Sequence, residues 1–265
     1  MRLPRTFPLL ATLFAPTLGI PLQPPIANTT ALPINFAIVA FPGFQALDAF
    51  GPLDVFNSLS LLYSSNVTMH VKVVAATLDP VSTVVQSSPM MNMSHGDFGE
   101  SIKPTHTFMQ LLNKDTQGEV DVLIVPGGGG TREERLEEIA FIKATAPNAK
   151  YVISVCTGAT LLARAGVLDG RKATSNKRAW SWVLTTGPKV EWVHTARWVH
   201  DGKYWTSSGV SAGIDVAYAW LEDVYGKGAA DYVAMSGEYR RTTNASDDPF
   251  AAIWGDGAGG AVHLA

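Results

Sequence analysis

The chain holds one cysteine, Cys156, and its surroundings are those of a nucleophile. An apolar run, Tyr151 to Val155, leads into Cys156-Thr157-Gly158, and a second apolar stretch, Ala159 to Ala165, follows. A strand that turns directly into a helix pushes the side chain on the turn into the open, the logic of a nucleophile elbow. A helix N-terminus favours negative charge, so the turn is expected to lower the thiol pKa and populate thiolate. Gly158 would let the backbone come close to a bound substrate. Cysteines are also among the most buried residues and pack as small hydrophobes. The position on the turn, followed by Thr-Gly, favours the nucleophile.

Two further groups bear on that cysteine. Gly127 to Gly130 follow another strand end, and backbone N–H groups at Gly128 and Gly129 are candidates to meet the N–H of Thr157 around a developing negative charge. The alternative is a flexible turn. The spacing and the preceding Pro126 do not fit a dinucleotide fingerprint. Asp48 lies among apolar neighbours, Ala46-Leu47-Asp48-Ala49-Phe50-Gly51-Pro52, as either a helix cap or a carboxyl with a raised pKa. On its own residues the cap is the better reading, and Asp54 faces the same choice. None of the six histidines stands at metal-ligand spacing, so no metal and no cofactor is expected. None follows Cys156 directly either, although a distant one could approach in space.

These residues need a scaffold, and the pattern supplies one. Asn35 to Phe41 reads as a buried strand closed by Pro42-Gly43, and Asp48 to Tyr63 as a helix with apolar residues at Phe50, Leu53, Phe56, Leu59 and Leu62. Pro52 is tolerable in a first helical turn. Met69 to Ala76 and Val120 to Val125 are further strands; His106 to Leu112 reads as a connecting helix or an irregular loop. Glu133 to Lys143 looks like a charged surface helix, and Gly166 ends the helix after Cys156. Val190 to Trp198 and Lys203 to Ser207 flank Asp201-Gly202, a two-residue hairpin turn. Ser211 to Tyr225 reads as the final helix. Continuous apolar strands alternating with helices predict an α/β fold, a mostly parallel sheet with helices on both faces.

The domain organisation expected is a signal peptide over 1–22, a linker over 23–34, one domain over 35–240 and a loosely held tail over 241–265. The start carries two arginines, an apolar run from Phe7 to Leu22 and small residues near Gly19, the order of a secretory leader. The alternative is a proline-broken tail on a cytoplasmic enzyme. Four of nine asparagines, Asn28, Asn66, Asn92 and Asn244, stand in glycosylation sequons, which also points to the secretory pathway. A lone thiol pulls the other way, because an oxidising compartment is hostile to it unless it is sheltered. The net charge of −3 without a basic cluster argues against nucleic acid, and no internal run is long enough for a membrane span.

Four ordered motifs add up to a resemblance. Val155-Cys156-Thr157-Gly158-Ala159 with Ala165 to Thr174, Val125-Pro126-Gly127-Gly128, Ser208 to Asp215, and Phe41-Pro42-Gly43 with Leu47-Asp48 and Gly51-Pro52 resemble the ThiJ/PfpI superfamily, in its isonitrile hydratase branch. The similarity spans Asn35 to Gly226. It implies a flavodoxin-like sandwich, a homodimer, and a small-molecule substrate at a cysteine on an elbow touched by an acid. That acid maps onto Asp48, which displaces the cap. The thiolate would add to the terminal carbon of an isonitrile, Asp48 would shuttle protons, Thr157 would supply a backbone N–H, and an N-substituted formamide would leave. Two departures matter. Thr157 stands where protease-like relatives have His, and Asn176 stands where several others have His, so peptidase and deglycase-like activities are not implied. No helix-turn-helix module is read after Tyr225, which argues against a regulator. The alternatives are another cysteine-dependent hydrolase or aldehyde-processing enzyme, or a non-catalytic ligand-binding or redox-sensing domain.

Overall fold

Val122-Leu123-Ile124-Val125 is a strand with no exposed side chain, as a parallel strand covered on both faces must be. In a computed structural model that describes residues 21–28, 31–85, 96, 98–113 and 119–255, it lies near the middle of a seven-stranded sheet. Numbered along the chain, the strands are β1 (Asn35–Val39), β2 (His70–Ala75), β3 (His106–Thr107), β4 (Val122–Val125), β5 (Tyr151–Ser154), β6 (Trp198–Asp201) and β7 (Tyr204–Ser207). Their order across the sheet is β6-β7-β5-β4-β1-β2-β3, and only the β6–β7 pair is antiparallel. The sheet is the flavodoxin-like one expected.

Two groups of helices cover it. Helices α1 (Ala46–Leu62), α6 (Ala212–Tyr225) and α7 (Lys227–Ser236) pack on one another. The second group comprises α2 (Phe108–Leu112), α3 (Leu136–Thr145), α4 (Gly158–Arg164) and α5 (Trp180–Thr186). Trp220 of α6 centres the first layer, edge-on to Phe36, Phe56 and Tyr151. Phe108 stacks on Phe141 in the second, with ring centroids 4.7 Å apart. At the foot of the sheet Asp121 accepts from the N–H groups of Ile34 and Asn35, each at 2.9 Å, and pairs with Lys150. It thereby ties the starts of β1, β4 and β5 together. No described helix is long and apolar enough to cross a membrane.

Several expectations need correction. Helix α1 begins at Ala46, so Pro52 lies inside it rather than in the first turn. Helix α3 starts only at Leu136, because Gly129–Arg132 forms a 3-10 turn and Arg135 sits in the left-handed region with φ 49°. His106 to Leu112 divides into β3 and α2, the latter opened by a capping box between Thr107 and Gln110. The run Val190 to Trp198 is mostly not strand: Glu191–Trp192 pairs with Lys172–Ala173 in a small separate ladder, and β6 starts at Trp198. Asp201 pairs with Tyr204, so the hairpin loop is Gly202-Lys203.

Helix α6 is not the last. After α7 the chain crosses to the cysteine side and ends its described part in α8 (Pro249–Trp254). The tail expected to be loose is fastened from Arg241 to Gly255. Arg241 pairs with Asp231 at 2.6 Å, Arg197 N–H donates to Ala245 O at 2.7 Å, and Asp248 is buried against Lys177. The linker is docked as well: Tyr63 donates to Pro24 O at 2.9 Å, and Ile26 and Leu32 pack on the core. The leader expected over 1–22 lies almost entirely outside the described residues.

Candidate active site

Asp48, Gly127 and Cys156 follow β1, β4 and β5, at the carboxyl ends of adjacent parallel strands. In open α/β sheets that edge is where ligands bind. Cys156 sits on the elbow with φ 57°, a left-handed conformation that costs a non-glycine residue about 1–3 kcal/mol. Its backbone is held there on both sides. The Cys156 N–H donates to Ser208 O at 3.1 Å, and Ser175 Oγ donates to Cys156 O at 2.7 Å. The side chain is 5% exposed.

Three donors converge on the sulfur: Asn176 Nδ2 at 3.3 Å and the backbone N–H groups of Thr157 and Val210. Val210 is itself strained, with φ 34°. The fourth neighbour is Asp48. Its side chain is fully buried and lies close to the thiol; Oδ2 accepts the Gly127 N–H at 3.0 Å, and Oδ1 is buried without a hydrogen-bond partner. Asp48 is therefore no cap; Gln45 occupies the N-cap position. Asp54 is exposed.

Burial decides the electrostatics. It pushes Asp48 up to about 7, against the opposing Gly127 N–H and the thiol. Burial and then the Asp48 charge push Cys156 up to about 12, although Val210, Thr157 and Asn176 all favour thiolate. The lowered thiol pKa expected from the helix N-terminus is thus reversed. Between those two values the pair holds one proton, and the two groups titrate as a unit.

The glycine run does something other than expected. The Gly128 N–H donates to Thr157 Oγ1 at 2.9 Å, Gly130 N–H donates to Gly43 O at 2.9 Å, and Gly129 is exposed. The Gly128 and Gly130 N–H groups are thus engaged in positioning the turn. Gly127 is required by close approach: a Cβ there would lie 2.6 Å from Thr157 N and 2.8 Å from Asp48 Oδ2. Gly158 packs its Cα face against Val125 O, where a Cβ would fall at 2.2 Å, so it lets the helix meet the strand.

Val210, Lys177 and Asp248 were not found by sequence reasoning, and Asn176 was noticed only as a departure. Lys177 is buried, donates to Thr174 Oγ1 at 2.7 Å, Ala196 O at 2.9 Å and Ser175 O at 3.0 Å, and pairs with Asp248 at 3.3 Å. Burial lowers its pKa to about 8 despite Asp248. It fixes the segment that carries Asn176. One signal was legible: Gly209, whose Cβ would lie 2.6 Å from Asn176 Nδ2. Beside Asn176 and Val210 opens a cleft of about 290 Å³, walled on its far side by Phe250 and Trp254 of α8.

No described histidine hydrogen-bonds to the sulfur, and no three His, Cys, Asp or Glu side chains cluster as a metal site among the described residues. Of the sequon asparagines, Asn28, Asn66 and Asn244 are exposed; Asn92 lies outside the described residues.

Comparison with known proteins places the chain in a family. The model of the DJ-1/PfpI family matches residues 35–223. An isonitrile hydratase of Pseudomonas putida is 33% identical over 213 residues, 79% of either chain. A deglycase of Pyrococcus horikoshii is 37% identical over 130 residues, 48% of this chain and 72% of its own. A solved ThiJ/PfpI family protein from Pseudomonas syringae superposes with a TM-score of 0.63 at 26% identity, covering 88% of this chain and 87% of that one.

Proposed function

This chain belongs to the DJ-1/PfpI family, and we propose that it is a lyase that adds water to an isonitrile through Cys156. The observation that carries the reading is the buried Asp48 carboxyl set close to the Cys156 thiol. An isonitrile carbon accepts both a proton and a nucleophile, and such a pair delivers both. The thiol proton passes through Asp48 to the terminal carbon as the S–C bond forms, giving a thioimidate, R–N=CH–S. Asp48, ionised again, then takes a proton from water as the hydroxyl adds to the same carbon. The nitrogen takes that proton, the C–S bond breaks, and an N-substituted formamide leaves. Sulfur departs as thiolate toward Asn176 and the N–H groups of Thr157 and Val210, and regains the proton left by the new hydroxyl as it becomes the carbonyl.

Kinship with an isonitrile hydratase across four-fifths of the chain supports this reading over deglycase-like chemistry, where the shared segment is about half of the chain. Burial shelters the thiol in an oxidising compartment, so a secreted, glycosylated form bearing sugars at Asn28, Asn66 and Asn244 is compatible with the site. The cytoplasm remains the alternative location.

The test is product analysis by mass spectrometry after incubation with benzyl isonitrile. N-benzylformamide should appear with the natural protein and not with Cys156→Ala. Absence of both the formamide and a thiol adduct would end the hydratase reading.

A further inference from the structure

Helix α8 presents an unusual surface. It is tied down at its start, where Asp248 caps it through the Phe250 N–H at 3.1 Å and meets the buried Lys177. Ala251 is its buried residue. Phe250 and Trp254, four positions apart and so on one side of the helix, remain 45% and 50% exposed. Both line the cleft whose other end is formed by Asn176 and Val210, the two residues that reach the sulfur from that direction. The Arg178 guanidinium stands over the Trp254 ring, 5.7 Å from its centroid, and steadies the indole. A volume of about 290 Å³ is at the lower end of ligand pockets, which run from about 300 Å³.

We infer that Phe250 and Trp254 are specificity-determining residues, an aromatic wall that receives a flat apolar substituent about one ring in size while the reactive end of the substrate reaches Cys156. The inference rests on the reading of Cys156 as the nucleophile, and it names the substituent that an isonitrile substrate would carry on nitrogen. The polar lining comprises Asn176, Lys177, Arg178, Ser208 and Ser211, and Phe250 and Trp254 are the cleft's two rings. The rings are thus the large apolar surface that a substituent in the cleft can cover. The Lys177–Asp248 pair does for the wall what the elbow hydrogen bonds do for the nucleophile: it fixes position before the ligand arrives.

Because Cys156 is the sole cysteine, its labelling reads the cleft directly and without isonitrile turnover. Second-order rates are measured for N-methylmaleimide, N-phenylmaleimide and N-carboxymethylmaleimide, each divided by its rate with free cysteine. The phenyl probe should exceed the methyl probe by about tenfold, the effect of covering one ring's worth of apolar surface in part. Trp254→Ala and Phe250→Ala, both on half-exposed side chains, should each bring that ratio toward one. Leu61→Ser, on a 77% exposed position of α1 away from the cleft, should leave it alone. Equal normalised rates, a preference for the carboxylate probe, a ratio untouched by both α8 variants, or no labelling by any probe each overturn the inference. If the preference is found but benzyl isonitrile is not hydrated, the hydratase reading fails and the aromatic wall stands.

Discussion

The backbone N–H of Val210 faces the sulfur of Cys156, and both residues are held at positive φ, 34° and 57°. A β-branched residue in that region is a genuine outlier. Strain at the residue that bears the sulfur and at one that lends it an N–H means that the backbone on both segments is held in place by the surrounding fold.

Thiol and carboxyl should therefore titrate together. Asp48→Asn removes the carboxylate that helps to raise the thiol pKa, while burial, the larger cause, remains. At pH 9 the variant should alkylate with iodoacetamide several-fold faster than the natural protein. Hydration of benzyl isonitrile should fall by about 10²-fold or more, the usual contribution of a positioned acid–base group. Slower alkylation in the variant would show that the Asp48 charge does not act on the thiol.

The same substitution should stabilise the protein above neutral pH. The carboxyl pKa rises from its ordinary unfolded value to about 7 on folding. The folded chain thus binds more protons between roughly pH 4 and 7, and its stability falls as pH rises through that window. Asn carries no such cost. Urea unfolding at pH 8 should show Asp48→Asn ahead by up to about 4 kcal/mol, with the gap closing toward pH 4. A constant gap would place its origin in packing instead.

Gly127→Ala is expected to be severe. The added methyl would meet the Thr157 N and the Asp48 carboxyl at once, both on well-packed backbone segments. A loss of about 2–4 kcal/mol in stability, together with loss of activity, follows from overpacking at that junction. Near-natural melting with intact turnover would mean that the approach of β4 to the elbow is looser than described.

Asp248→Ala leaves the Lys177 ammonium buried without its carboxylate. Breaking a buried pair in this way costs about 3–5 kcal/mol. It also releases the anchor of α8, so hydrogen exchange over 242–254 should accelerate while exchange in β4 and β5 changes far less. Unaltered exchange in that segment would assign its attachment to Arg241 and Ala245 instead.

Much of this was legible in the sequence, for identifiable reasons. A buried parallel strand is a continuous apolar run, so β4 and β5 declared themselves, and the turn after β5 exposed Cys156. Asp48 was ambiguous by its own neighbours and became the acid only through resemblance. In the structure its carboxyl accepts from Gly127 across the sheet edge and lies close to the thiol. What stayed hidden was whatever depends on distant segments meeting. A backbone N–H such as that of Val210 has no residue signature. The tail reads as loose because its Asn, Asp and Gly content is that of a loop, whereas its described part is held by partners distant in sequence, Asp231, Arg197 and Lys177.

The shared proton has one more consequence. From about 7 to about 12 the Asp48–Cys156 pair carries one negative charge whichever member holds the proton. The cleft beside Asn176 and Val210 is lined by Lys177 and Arg178 as well, so an entering guest meets charges of both signs. Net charge on the guest is then a weak discriminator there, and the placement of its charges a strong one.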